Sequence, residues 1–174
     1  MRLFRLLLAA AATLLFSSAA QADFTYTYNG NDFTTVIGPY TTSDSIQGSF
    51  TVFSAIAPNT VDELILPESL SFTDGVQTAN TSDDHFDRFL ISTDATGAIV
   101  DWDIQAYSAG VFGIFTLGGP TKTEADTGEF YPDYGFNNGE QGTWTTSITP
   151  EPSTITLLSL GLLSLVLPLR RHLT

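Results

Sequence analysis

The stretch Val100-Asp101-Trp102-Asp103-Ile104-Gln105-Ala106 alternates apolar and polar side chains without a break. In an extended chain successive side chains point to opposite sides. Val100, Trp102, Ile104 and Ala106 therefore share one face, and Asp101, Asp103 and Gln105 share the other. A strand buried on one face only belongs to an antiparallel sheet. The same texture continues on both sides of this segment. Phe24, Tyr26 and Tyr28 alternate with Thr25 and Thr27, and Phe50 and Val52 alternate with Ser49, Thr51 and Phe53. Further strands are expected over 89–92, 111–117 and 143–148.

Turn signals separate these runs. Asp74-Gly75 lies between Leu70–Thr73 and Val76–Ala79 and reads as a two-residue hairpin, because Gly tolerates positive φ. Asp94-Ala95-Thr96-Gly97 and Ala109-Gly110 bracket the decisive strand. No apolar period of 3.6 appears between Asp23 and Thr149. Roughly eight or nine short strands with frequent turns imply an all-β domain, an antiparallel β-sandwich or jelly roll. Gly118 to Gly142 departs from the pattern, being crowded with Gly, Pro, Asp, Glu and Asn. It reads as a long loop packed by Phe130, Tyr131, Tyr134 and Phe136, and so as a place to look for function.

The 174 residues suit one domain, with apolar residues concentrated at the two ends. Met1-Arg2-Leu3-Phe4-Arg5, an apolar run over 6–16 and then Ser17-Ser18-Ala19-Ala20-Gln21-Ala22 have the order of a secretory signal peptide. The small side chains of Ala20 and Ala22 fit signal peptidase and place cleavage after Ala22. The run is too short to span ~30 Å of hydrocarbon. Between Asp23 and Thr149 there are 18 Asp or Glu against Arg88 and Lys122 alone. Such acidity argues against nucleic acid or an anionic membrane as partners of this domain. The chain has no cysteine, so disulfides, thiolate metal sites and a Cys nucleophile are excluded.

The C-terminus reads Thr149-Pro150-Glu151-Pro152-Ser153-Thr154, an apolar run from Ile155 to Leu169, then Arg170-Arg171-His172. As a helix the run spans ~23 Å, or ~26 Å with Ser153 and Thr154, enough for a thinned bilayer. Arg170 and Arg171 would act as a membrane stop on the cytoplasmic side, leaving the acidic domain outside. Pro150 and Pro152 hold the backbone extended and present Glu151 just outside the membrane. A GPI signal does not fit, because its ~8–12-residue polar spacer is missing.

These three features in this order resemble the PEP-CTERM sorting domain of Gram-negative bacteria, over Pro150 to Arg171. The resemblance implies that an exosortase-like membrane protease recognises Pro150, Glu151 and Pro152. It would cut near them and pass the domain from the inner membrane to the cell surface or extracellular matrix, usually in species making exopolysaccharide. Two departures are Pro168 in the last helical turn and His172-Leu173-Thr174 after the arginines. A weaker likeness to domains carried by this family rests on Tyr40–Thr51, Leu70–Gly75 and Ser92-Thr93-Asp94 leading to Trp102; it supports the all-β fold and nothing chemical.

Four kinds of chemistry are conceivable. Asp101 and Asp103, ~7 Å apart on one strand face, have the spacing of a two-carboxylate glycosidase, although an outer face kept soluble by charge gives the same pattern. His85, beside Asp84 and Asp87, can be placed on paper in a triad with Ser82, but no nucleophile elbow or H-E-x-x-H motif accompanies it. Calcium is the metal the oxygen ligands would suit, with Asp83, Asp84 and Asp87 as one candidate set and Asp126, Glu129 and Asp133 as another. For sugar binding, Trp102 and Trp144 fall on apolar strand faces and read as core, leaving Tyr131 and Tyr134 freer to meet a ligand. No catalytic residue is assigned, and no nucleotide or redox cofactor is implied. The expected role is that of an exported structural or adhesive matrix protein. The alternative is a secreted hydrolase of matrix polysaccharide.

Overall fold

The computed structural model describes residues 22–81, 84–108, 112–120, 125–139 and 142–149, apart from the side chains of 84–87, 108 and 112. The expected signal segment up to residue 21 and the tail from Pro150 to Thr174 lie outside the described residues. So do the candidates within them: Ala20, Pro150, Glu151, Pro152, Arg170 and Arg171. Phe24–Ile148 forms one compact unit; a second, drawn from the two ends, falls almost wholly outside the described residues.

Twelve strands form among the described residues, and no helix: β1 Asp23–Asn29, β2 Thr35–Ile37, β3 Gln47–Val52, β4 Glu63–Leu64, β5 Ser69–Thr73, β6 Thr78–Asn80, β7 Asp84–Thr93, β8 Ile99–Ser108, β9 Phe112–Gly118, β10 Ala125–Phe130, β11 Asp133–Asn138 and β12 Thr143–Thr149. They make a five-stranded sheet in the order β12-β1-β3-β5-β6 and a seven-stranded sheet in the order β2-β11-β10-β9-β8-β7-β4. Every pairing with a described register is antiparallel. The expected all-β sandwich therefore forms. Strands β7 to β11 run as an uninterrupted meander, unlike the paired Greek keys of a jelly roll.

Alternation decides which side chains meet between the sheets. The five-stranded sheet turns Tyr26, Tyr28, Phe50, Leu70, Phe72 and Ala79 inward, and the seven-stranded sheet answers with Phe89, Ile91, Trp102, Ile104, Ala106 and Ile114. Phe50 lies at the centre. Its ring stacks on Tyr26 at 5.0 Å and meets Phe89 edge-on at 4.8 Å. Trp144 of β12 leans over Tyr28, Phe50 and Trp102 at 5.0–5.9 Å. Large aromatic rings, each carrying a large apolar area, let this small core hold without a covalent staple.

Three local expectations are corrected. The long loop over Gly118 to Gly142 is instead mostly the hairpin of β10 and β11. Its glycines had weakened the strand reading, yet Gly128 and Gly135 face each other in register for a packing reason. A Cβ on Gly135 would strike the Phe33 ring and one on Gly128 would strike Asp74, so bare backbone seats both side chains. The Asp74-Gly75 hairpin is real but has four loop residues, Asp74 to Gln77, because Thr73 pairs with Thr78. Val100 does not share the buried face of Trp102. Ser92 pairs with Asp101 while Thr93 pairs with Ile99, so Val100 is the extra residue of a bulge, 37% exposed, and Ile99 packs on the core instead.

This geometry separates two substitutions that strict alternation would treat alike. Phe50→Ala is expected to cost about 3–5 kcal/mol through lost burial and an unfilled cavity. Val100→Ser at the bulge is expected to stay within about 0.5 kcal/mol. Urea unfolding of both variants checks this, and comparable losses would return Val100 to the core.

Candidate functional site

Among the described residues four carboxylates are nearly withdrawn from solvent: Asp74, Asp101, Asp103 and Asp126. Burying a carboxylate is costly unless hydrogen-bond donors surround it, so their partners show what each one does. Asp126, on the inner face of β10, accepts the Tyr28 hydroxyl, which lies 2.9 Å from both carboxylate oxygens. Thr116, its register partner on β9, supplies a second hydroxyl to Asp126 and accepts the Trp102 indole N–H at 2.9 Å. The Gly142 backbone amide reaches the Tyr28 oxygen. One polar seam thus links β1 to β8, β9 and β10 across the core. Burial pushes the Asp126 carboxyl up to about 6, against the lowering effect of the Thr116 and Tyr28 hydrogen bonds. Burial, then the neighbouring Asp126 charge, raises the Tyr28 hydroxyl above its ordinary range.

Asp74 ties the other end. One oxygen accepts the Val76 and Gln77 amides at 2.9 and 2.7 Å, which fixes the β5–β6 turn. The second accepts the Tyr40 hydroxyl at 2.7 Å. Burial and then that hydrogen bond raise the Tyr40 hydroxyl. Neither Asp74 nor Asp126 stood out in the sequence as a buried acid. The one available signal was the Asp-Gly turn, and nothing local marked its tyrosine partner.

Asp101 and Asp103 do lie on the same face of β8, away from Trp102, but this is not a solvated row. Each is 4% exposed. Strand β8 is central, and side chains from the flanking strands pave its outer face. Arg88 of β7 donates to Asp103 at 2.8 Å and Gln105 donates to its other oxygen at 3.0 Å. The hydrogen bond to Asp103 raises the already high Arg88 pKa. Asp103 is therefore held by a cation and an amide.

The two candidate sets of metal ligands stand differently in the structure. Asp83 lies outside the described residues, and Asp84, His85 and Asp87 are described by backbone alone, in β7. Asp84 pairs with Ser108 and His85 with Tyr107, while Asp87 is the extra residue of a second bulge. Strand alternation puts Asp126 and Glu129 on opposite faces of β10, so Asp126, Glu129 and Asp133 do not converge. Among the described residues no three His, Asp or Glu side chains form a metal-sized group. Trp102 is core and Trp144 packs against it, as their strand faces implied. Tyr131, at the tip of the β10–β11 hairpin, is 92% exposed, whereas Tyr134 is half-buried.

Two of the grooves on the described surface bear on this question. One of 440 Å³ runs beside the β7–β8 turn and is lined by Phe24, Ile56, Pro58, Thr96 and Ile148 among others. The other, of 320 Å³, crosses the outer face of the five-stranded sheet between Thr27 and Thr78. Neither lining includes an Asp, Glu or His.

The Asp126 shift has a signed consequence. Its folded pKa is raised above the unfolded value of 3.8, so the folded state holds a proton that the unfolded state releases. Its contribution is fully present below about pH 4, falls as pH rises to about 6 and is level above that. The unfolding free energy of Asp126→Asn relative to wild type is expected to move by about 2 kcal/mol in the variant's favour between pH 4 and pH 7. Chemical denaturation across that range measures it, and a constant difference would mean Asp126 titrates normally. Comparison with protein-family models, curated proteins and solved structures returns no match to this chain.

Proposed function

We propose that this is an exported cell-surface or exopolysaccharide-matrix protein, structural or adhesive in role. In this reading signal peptidase removes residues 1–22, and an exosortase-like membrane protease acts at Pro150-Glu151-Pro152. The observation that carries the non-enzymatic part is the use made of the buried acids. Asp74 and Asp126 spend their oxygens on turn amides and tyrosine hydroxyls in the core, and Asp103 spends its own on Arg88 and Gln105 on the outer face of β8. A two-carboxylate hydrolase needs a pair facing a common space that admits a sugar and a water. The linings of the two grooves offer no such pair, so the hydrolase alternative has less support. The sorting part rests on the order of the triplet, apolar run and arginines in the tail.

Intact mass of the protein recovered from the host's cell surface and medium tests the sorting route. The expected chain begins at Asp23 and ends near Glu151. A mass running through Thr174 would overturn the sorting reading and leave a tail-anchored protein. Substituting Pro150-Glu151-Pro152 with alanines is expected to retain the tail and hold the protein in the inner membrane.

A further inference from the structure

The outer face of the five-stranded sheet is unusual for so acidic a domain. Register places Thr27, Ser49, Ser71 and Asn80 in one row across β1, β3, β5 and β6. Asn29, Gln47, Thr73 and Thr78 form a second row beside it. Their chain neighbours Tyr28, Phe50, Phe72 and Ala79 are core residues, so alternation turns both rows outward. No position in either row is charged, although 18 Asp and Glu lie between Asp23 and Thr149. Exposed sheet surfaces and edges ordinarily carry charge, which keeps them soluble and unpaired. The 320 Å³ groove runs along these rows. Across four strands it extends about 14 Å, and the rows stand about 7 Å apart.

Within the protein Gln47 bonds Ser45, and Thr73 bonds the Gln77 carbonyl. The side chains of Thr27, Asn29, Ser49, Ser71 and Thr78 enter no hydrogen bond with another described residue. Hydroxyls and amides both donate and accept, and here they line one trough. A phosphate or uronate polymer would find no cation there and would meet the field of an acidic protein. A protein partner would find no exposed aromatic, aliphatic or arginine anchor in either row. A neutral, hydroxyl-rich chain meets both conditions.

We propose that this groove binds a neutral polysaccharide, laid across strands β1, β3, β5 and β6 and held by hydrogen bonds from the two rows. The proposal rests on the matrix role put forward above and gives that role its contact surface. Without a stacking ring in the trough each site is weak. Retention in a matrix then comes from many copies engaging one long polymer.

The test is affinity electrophoresis of the full chain in detergent micelles, through native gels containing dextran, mixed-linkage β-glucan, galactomannan or the polyanion alginate. Retardation is expected in at least one neutral polymer and not in alginate. The double variant Ser71→Glu/Thr78→Glu is expected to weaken retardation at least about tenfold, as unpaired charge replaces matched hydroxyls. Ser71→Ala/Thr78→Val, which adds no charge, should weaken it in the same direction. Thr35→Glu on the other sheet should leave it unchanged, and thermal melts show that each variant is folded. Retardation by alginate alone, by none of the four polymers, or equally in wild type and both double variants overturns the proposal. So does wild-type self-association that the double variants abolish, because the face would then join copies of the chain. Each of these results leaves the sorting reading standing, since intact mass decides that separately.

Discussion

The Tyr28 hydroxyl on the Asp126 carboxylate joins the two sheets at the point where an apolar core alone would leave them free to slide. Hydrophobic burial is non-directional and fixes how much surface is covered more than which residue covers it. A hydrogen bond between a tyrosine on β1 and an aspartate on β10 admits one register of sheet on sheet. Thr116 and the Trp102 indole extend the constraint to β8 and β9, so the largest core side chain is held in place by the same seam. Leaving any member buried and unpaired costs more than the bond itself contributes, which makes the arrangement specific as well as stabilising.

The remaining acids repeat this logic at the edges of the sandwich. Asp74 fixes the β5–β6 turn and receives Tyr40, which also packs edge-on against Phe33 at 5.9 Å. Asp94 organises the β7–β8 turn by accepting the Thr96 hydroxyl and the Thr96 and Ala98 amides, which lowers its pKa. A chain without cysteine thus uses carboxylate-centred turns and tyrosine pins where many small domains use disulfides. Asp74, Asp94, Asp103 and Asp126 are in this sense structural charges.

The outer faces of the two sheets differ. On the five-stranded sheet they carry Thr, Ser, Asn and Gln in cross-strand rows. On the seven-stranded sheet Tyr107 and Phe115 pack edge-on at 5.2 Å, beside the Arg88–Asp103 pair. The two surfaces therefore offer different chemistry to the surroundings, and the uncharged rows of the first line the groove proposed to hold a neutral polymer.

The sequence by itself determined the fold class, the strand polarity and much of the core. Period-two alternation at 24–28, 49–52 and 102–106 is a local property, and burial of the apolar face follows from it directly. It placed Trp102 and Trp144 correctly for the same reason. The export and sorting proposal rests on linear order alone, at residues 1–22 and 150–171. The β10–β11 hairpin was hidden because Gly128 and Gly135 lower local strand preference. Their purpose is visible only when Asp74 and Phe33 arrive from elsewhere in the chain. The bulge at Val100 was hidden because it depends on how β7 pairs, and register is a relation between two segments. Asp126 reads from the sequence as a surface acid, a calcium candidate with Glu129 and Asp133, and only the fold sets Tyr28, 98 residues away, against it. The groove has the same origin. Its rows are assembled from four strands, and no single strand contains more than two or three of the residues that line it. Local patterning is written in adjacent residues, whereas register, buried polar pairing and cross-strand rows exist only once distant strands are side by side.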